Sequence, residues 1–285
     1  MSIEDSLFHT KKTLNLNGNL VSLDTPQVIG IINVTPDSFF KGSRVENESD
    51  ILAQAEKMLA EGALALDIGG YSSRPNAKDI SIETEISRVV PAIELILKTF
   101  PKAYISIDTF RAELARAAVK AGACIINDIS GGNLDDQMFD TVADLNVPYI
   151  LMHMKGNPRT MVSHSNYKNV TKEVAQYFGE KCSLLHNKGV KDIILDPGFG
   201  FAKDKEQNYE LLKNLGYLKM LNLPILAGVS RKSMIYKNLG IKPEDALNGT
   251  TALHMTALMN GASMLRVHDV KEAVETVKLF KLTYP

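Results

Sequence analysis

The stretch Val28-Ile29-Gly30-Ile31-Ile32-Asn33 is a short apolar run that stops on a polar side chain, and a polar loop and a helical pattern follow it. The same event recurs along the chain. ALALDI (63–68) carries Asp67, AYISID (103–108) ends at Asp108, CIINDI (124–129) carries Asn127 and Asp128, and VPYILMH (147–153) ends at His153. DIILD (192–196) ends at Asp196, LPILAGVS (223–230) runs into Arg231 and Lys232, and ASMLRVH (262–268) carries Arg266 and His268. Apolar runs alternating with helical patterns, without a break in composition, indicate one parallel sheet. Polar groups at the carboxyl ends of successive parallel strands are what a (β/α)8 barrel active site is made of. The expected fold is therefore α/β, a single-domain (β/α)8 TIM barrel.

Helix signals fill the intervals. Ser49 reads as the cap of a segment with Ile51, Leu52, Ala55, Met58 and Leu59 on one face, ended by Gly62. Further segments run from Arg111 to Lys120, from Lys168 to Lys188 and from Pro243 to Gly261, and Pro91 predicts a kink or a break within Glu83–Thr99. Residues 1–26 are polar and read as an N-terminal strand or hairpin that caps the barrel bottom, leaving residues 27–285 for the barrel domain. The connections 35–50 and 69–83 are too elaborate for plain turns and read as lids or substrate clamps.

Composition narrows the class. A chain of 285 residues suits one barrel of about 250 residues plus a leader. A net charge of −1 gives no reason to expect nucleic acid or an anionic membrane as a partner. No stretch approaches about 18 uninterrupted apolar residues, so no membrane span is expected. The segment MSIEDSLFHTKK lacks the apolar region of a signal peptide, and Cys124 and Cys182 read as reduced core thiols, so a cytoplasmic protein is expected.

Asp108, Asn127 and Asp196 should point into one mouth, where crowded acidic groups need donors. A planar ligand rich in N–H groups, such as a 2-amino-4-oxopyrimidine edge, would supply them. Arg74, Arg231, Lys232, Arg266 and His268 follow other strands at the same end and suit an anionic tail such as phosphate. Asn33 could help hold a Mg²⁺ ion bound to that tail. Each of these residues also has a bland reading. A lone Asp after a strand often caps the next helix, as Asp108 could. Asp67 and Asp128 read as structural, and His153 either as a mouth residue or as a core histidine. His9, His164, His186 and His254 read as surface or packing residues, and the methionines between 152 and 161 as core. A zinc HExxH motif, a GxSxG elbow, GxGxxG and a Walker A loop are all missing.

At the level of motifs the chain resembles the dihydropteroate synthase family from about residue 28 to 280. The matching pieces are IGIINVTPDSFF (29–40), ALDIGGYSSRP (65–75), SIDTFR (106–111), NDISGG (127–132), LMHMKGNPRTM (151–161), LDPGFGFAK (195–203), GVSRKS (228–233) and RVHDV (266–270). The resemblance implies a transferase of folate biosynthesis, a sulfonamide target, that joins 6-hydroxymethyl-7,8-dihydropterin pyrophosphate to 4-aminobenzoate. It implies pterin binding by Asp108, Asn127, Asp196 and Lys232. Pyrophosphate and Mg²⁺ would fall to Asn33, Arg74, Arg266 and His268, with Asn33 as the metal ligand. Aminobenzoate would meet Ser73, Pro75, Phe201 and Ser233, while Asp37 helps to close the site. Asp37, Arg74, Asp108, Asp196 and Lys232 are the implied catalytic set, and a homodimer through helices near the C-terminus is implied as well. Tyr71, Ser73 and Asn76 depart from the Glu, Thr and Gly more usual in the family, and Phe40-Lys41-Gly42-Ser43 replaces an acidic, Gly-rich stretch.

An aniline nitrogen is a modest nucleophile, whereas pyrophosphate held by Mg²⁺ and arginine leaves readily, so early departure of pyrophosphate is the expected course. Asp108 and Asp196 would stabilise the cation left on the pterin methylene. The alternatives are a corrinoid-type pterin methyltransferase and a non-catalytic pterin-binding paralogue; the TPDS, SSRP and SRKS stretches favour the synthase.

Overall fold

The computed structural model describes residues 11–34, 44–71, 79–157 and 164–285. A short hairpin comes first, β1 (Thr13–Leu16) and β2 (Asn19–Ser22), paired antiparallel through Asn17-Gly18. Both turn residues have positive φ, 51° and 84°, the pattern an Asn-Gly hairpin turn requires.

Every apolar run then becomes a strand: β3 (Gln27–Asn33), β4 (Ala65–Gly69), β5 (Tyr104–Asp108), β6 (Ile125–Asp128), β7 (Tyr149–Met152), β8 (Ile193–Asp196), β9 (Leu226–Ala227) and β10 (Met264–Val267). They form one sheet in the order β8-β7-β6-β5-β4-β3-β10-β9, with parallel pairing throughout. A parallel bridge between Leu195 and Ile225 joins β8 to the chain entering β9 and closes the ring. Parallel neighbours need long crossovers, which helices supply. After β3 to β8 come α1 (Arg44–Ala60), α2 (Ile82–Thr99), α3 (Ala112–Lys120), α4 (Met138–Leu145), α5 (Val170–Asn187) and α6 (Lys205–Lys213). α7 (Ser233–Leu239) and α8 (Leu247–Met259) follow β9, and α9 (Val270–Thr283) follows β10.

Two helix expectations are corrected. Ser49 lies inside α1 rather than at its cap, because the polar opening Arg44-Val45-Glu46-Asn47-Glu48 hides the helical period in the sequence. Of the kink or break expected at Pro91, the break does not occur: α2 runs through it. Pro91 faces solvent while Val89, Ala92, Ile93 and Ile96 are buried against the barrel, which offsets the lost hydrogen bond.

Side chains of one parity along the strands point outward and pack under the helices; Ile32, Ile68, Ile107, Ile126, Leu195 and Val267 belong to this larger core. The other parity fills the barrel. Its floor is Ile29, Ala65, Ile125, Ile150, Ile194, Leu226 and Met264, and Leu14 and Leu16 of the hairpin seal that floor from below with no exposed surface. The expected plug at the barrel bottom is thus present. Cys124 and Cys182 are buried and unpaired with each other.

Candidate active site

Strand alternation builds the site. Two residues beyond the inward floor, the chain again points into the barrel, and there the apolar side chains give way to polar ones. Ile29 leads through Ile31 to Asn33, Ala65 to Asp67, Ile125 to Asn127, Ile194 to Asp196, and Met264 through Arg266 to His268. In the ladder Asn33 lies beside Gly69, Gly69 beside Asp108, and Asp108 beside Asn127, so four strands present one row at the mouth. A side chain at Gly69 would touch the Asn33 Oδ1 and the Asp108 Cβ, at 3.5 and 3.6 Å, so the glycine keeps that part of the mouth open.

At the centre sits Arg266. Its Nε donates to Asp67 Oδ2 at 2.6 Å and its Nη2 to Asp108 Oδ2 at 2.6 Å. Asn127 Nδ2 donates to the same Asp67 oxygen at 2.9 Å. Asp67 has no exposed surface, whereas the Asp108 side chain keeps 22% of its surface open to the mouth. Burial pushes the Asp108 carboxyl above the usual range; Arg266 opposes this, and the charges of Asp67, Glu85 and Asp128 reinforce it. The buried acceptors Asp67 Oδ1 and Asn127 Oδ1 have no hydrogen-bond partner among the described residues. Buried acceptors are normally satisfied, and two orphans in one polar mouth call for a donor-rich ligand.

The second sector follows β8 and β9. Asp196 Oδ1 accepts from Gly198 N at 2.8 Å, and burial again raises this carboxyl, with Lys232 opposing. Asp196 Oδ2 and Lys232 Nζ each lie 3.8 Å from the point a Cβ on Gly228 would occupy, so the glycine leaves both groups free to face a ligand. Lys232 Nζ also donates to the Phe199 carbonyl and lies 4.7 Å from the centre of the Phe201 ring. Burial lowers its ammonium to about 8, the nearby Asp196 charge working against the fall. Ser233 opens α7 directly after Lys232. His268 is exposed at the lip, with Nδ1 3.0 Å from Ser230 Oγ. Partial shielding by the surrounding protein and then the Arg266 charge hold its ring below the usual histidine value.

Asn33, Asp108, Asn127, Asp196, Phe201, Lys232, Ser233, Arg266 and His268 are thus gathered at one end of the barrel. Asp37, Ser73, Arg74 and Pro75 lie outside the described residues. Arg231 is placed differently from the sequence reading, and Asp67 and His153 gain more specific places than that reading gave them. Asp67, read as structural, faces the mouth and holds two site residues. Arg231, grouped with the basic mouth residues, turns away: its guanidinium pairs bidentately with Asp269 at 2.8 and 2.8 Å and also donates to the carbonyls of Pro243 and Glu244. His153 has the outward parity and packs edge-on against Tyr177 at 4.8 Å, so the core-histidine alternative holds. Asp128 is structural as expected, accepting from Ser130 N, Gly132 N and Tyr149 Oη. Lys203, which the sequence reading passed over, is almost buried and donates to His153 Nδ1 and to the Gly198 and Phe201 carbonyls; burial lowers its ammonium to about 7.

Among the described residues no group of three or more His, Cys, Asp or Glu side chains is arranged to hold a metal ion. Asn33, exposed at the lip, offers one neutral amide oxygen. That donor suits a Mg²⁺ that keeps its waters and rides mainly on diphosphate oxygens, and it suits no dedicated protein cage.

The pterin binding enzyme family matches residues 29–268. The dihydropteroate synthase of Escherichia coli K12 is 41% identical over 268 residues, which cover 93% of this chain and 94% of that one. Among solved structures, the Xanthomonas albilineans dihydropteroate synthase with 4-aminobenzoic acid superimposes with a TM-score of 0.89 at 39% identity, covering 96% and 98% of the two chains. The same enzyme in complex with 7,8-dihydropteroate gives 0.85 at 37% identity, covering 95% and 98%. With this barrel, this mouth and these relatives, the chain belongs to the pterin-binding enzymes and, among them, to the dihydropteroate synthase family.

Proposed function

We propose that this chain condenses 6-hydroxymethyl-7,8-dihydropterin pyrophosphate with 4-aminobenzoate to give 7,8-dihydropteroate and pyrophosphate. The observation that carries the reading is the division of one mouth into an acceptor sector, Asp108, Asn127 and Asp196, and a basic sector, Arg266 and His268. A pterin ring offers N–H donors that the acceptor sector lacks, and a diphosphate needs the Arg266 cation and the N–H of the neutral His268 ring. Asp196 would take the 2-amino-4-oxopyrimidine edge through its outward oxygen, with Asn127 Oδ1 accepting a further N–H. Lys232, between Asp196 and the Phe201 ring, would donate to the pterin carbonyl edge. Phe201 and Ser233, with Ser73 and Pro75, would receive the aminobenzoate, and Asp37 and Arg74 would act from the first and second loops.

In this arrangement Arg266 and His268 hold the diphosphate as the C–O bond breaks. Asn33 would help to hold a Mg²⁺ ion, whose charge would ease departure of the pyrophosphate. Asp108 and Asp196 hold negative charge beside the ring where the methylene becomes cationic, the electrostatic preorganisation that most often dominates catalysis. The amine then attacks the methylene carbon and loses its proton. A homodimer through α8 and α9 is part of the same reading, supported by the exposed apolar side chains Met259, Leu279 and Leu282; sedimentation of a monomer at micromolar concentration would remove it. The proposed location is the cytoplasm; among the described residues no helix is long and apolar enough to cross a membrane. The test of function is pyrophosphate release by the purified protein with pterin pyrophosphate, 4-aminobenzoate and Mg²⁺. Release that requires all three supports the reading, and release that ignores aminobenzoate rejects it.

A further inference from the structure

The turn that follows β8 has little regular structure of its own. Gly198, Gly200 and Ala202 all have positive φ, at 68°, 81° and 48°. Gly198 is forced: a Cβ there would lie 2.1 Å from the His153 carbonyl oxygen. What fixes this turn is side chains reaching in from outside it. Asn208 Oδ1 accepts from Gly200 N at 2.7 Å, and its Nδ2 donates to the carbonyls of Lys203 and Asp204. Lys203 Nζ reaches back under the turn to the Gly198 and Phe201 carbonyls at 3.0 and 3.1 Å, and across to His153 Nδ1 at 3.0 Å. The His153 carbonyl lies within reach too, at 3.4 Å, so four acceptors surround the three donors of the ammonium group. Lys203 makes no ion pair with any described carboxylate; Asp196 is the acidic group whose charge reaches it most strongly. A buried lysine without a counter-ion is costly, so its retention has to be explained by what it holds.

What it holds is the aromatic side of the mouth. Phe201 is bonded through its carbonyl to Lys203, and the Phe199 carbonyl in the same turn receives Lys232. We infer that Lys203, braced by His153, is a positioning residue that sets the height of the Phe201 ring beneath Lys232 and so the seat of the aminobenzoate. It touches no substrate itself. This inference rests on the proposed synthase reading and names a further residue for that site. His153 thereby gains a role on the outward face of β7: a neutral ring presenting an acceptor to the ammonium.

The experiment compares wild type, Lys203→Met and His153→Leu in the pyrophosphate-release assay, with each substrate varied in turn. Lys203→Met is expected to raise the KM for 4-aminobenzoate by about tenfold, while the KM for pterin pyrophosphate stays within about threefold, since misplacement by a fraction of an ångström is enough for such losses. His153→Leu removes the ring acceptor and leaves the carbonyl bonds, so the same pattern is expected at smaller size; it decides the matter if Lys203→Met does not fold. Amide exchange at residues 198–202 should quicken in both variants, a readout that does not depend on the substrates. Unchanged KM values, or an equal loss for both substrates, would overturn the inference. A wild-type protein that releases no pyrophosphate would instead count against the synthase reading, and the exchange experiment would still judge the brace.

Discussion

Arg266 Nε lies 2.6 Å from Asp67 Oδ2, so a cation that faces the mouth is held from below by a carboxylate with no exposed surface. The same oxygen takes Asn127 Nδ2, which makes Asp67 the common anchor of the basic and the acceptor sectors. Asp67→Asn keeps the shape and removes the charge. It should lower kcat/KM by about a hundredfold through misplaced partners. Steady-state kinetics within threefold of wild type would show that Arg266 and Asn127 hold their places unaided.

Lys232 should set an alkaline limit. Its ammonium titrates near 8 because burial outweighs the pull of Asp196. The protonated form is the one that can donate to both Phe199 and a ligand. The kcat/KM for pterin pyrophosphate is therefore expected to fall as pH rises through about 8. In Lys232→Arg, whose charge persists, that limb should vanish, whatever the absolute activity. A limb unmoved by the substitution would assign the titration elsewhere.

Next to Gly70, Glu85 has no exposed surface and pairs with Arg111 Nη1 at 2.9 Å. Burial raises its carboxyl to about 7, with Arg111 opposing. A folded-state value above the unfolded one means that the folded protein holds this proton more tightly. The group's contribution is full below about 4.5 and is lost as pH rises through about 7. Relative to wild type, Glu85→Gln should therefore gain stability between pH 5 and pH 8, by roughly 2 kcal/mol. Denaturant midpoints that move the other way would contradict this balance.

The hairpin is expected to stabilise the barrel rather than to decorate it. Leu16 is fully buried against the floor, and Leu16→Ala should cost about 3 kcal/mol in urea unfolding with little change in KM. A loss below about 0.5 kcal/mol, the level of an exposed site, would mean that the floor is sealed without it.

The fold was legible because each strand is a short apolar run and each ends on a polar residue, a pattern that needs no tertiary information. The gathering of Asp108, Asn127, Asp196 and Arg266 at one mouth was legible for the same reason. Asp67 was read as structural, and its place beneath Arg266 and Asn127 also had a signal: it lies two positions after the floor residue Ala65, as Asn127 lies two after Ile125, and parity alone turns it inward. The same parity turns His153 outward. Arg231 and Lys203 carried no such signal. Arg231 leaves the strand through a left-handed residue, φ 52°, so its direction depends on Asp269 far along the chain. Lys203 follows a glycine-rich turn, where a lysine reads as solvated until the fold wraps His153 over it.

Calorimetric titration of a dihydropterin lacking the diphosphate, and separately of pyrophosphate with Mg²⁺, against wild type, Asp196→Asn and His268→Ala reaches the division of the mouth most directly. Asp196→Asn should weaken the pterin at least about tenfold and leave pyrophosphate nearly unchanged, and His268→Ala should do the reverse, as loss of one charge-assisted contact predicts. If either variant weakened both ligands alike, the ring and the diphosphate would not be held by separate sectors, and the account of this site would fail.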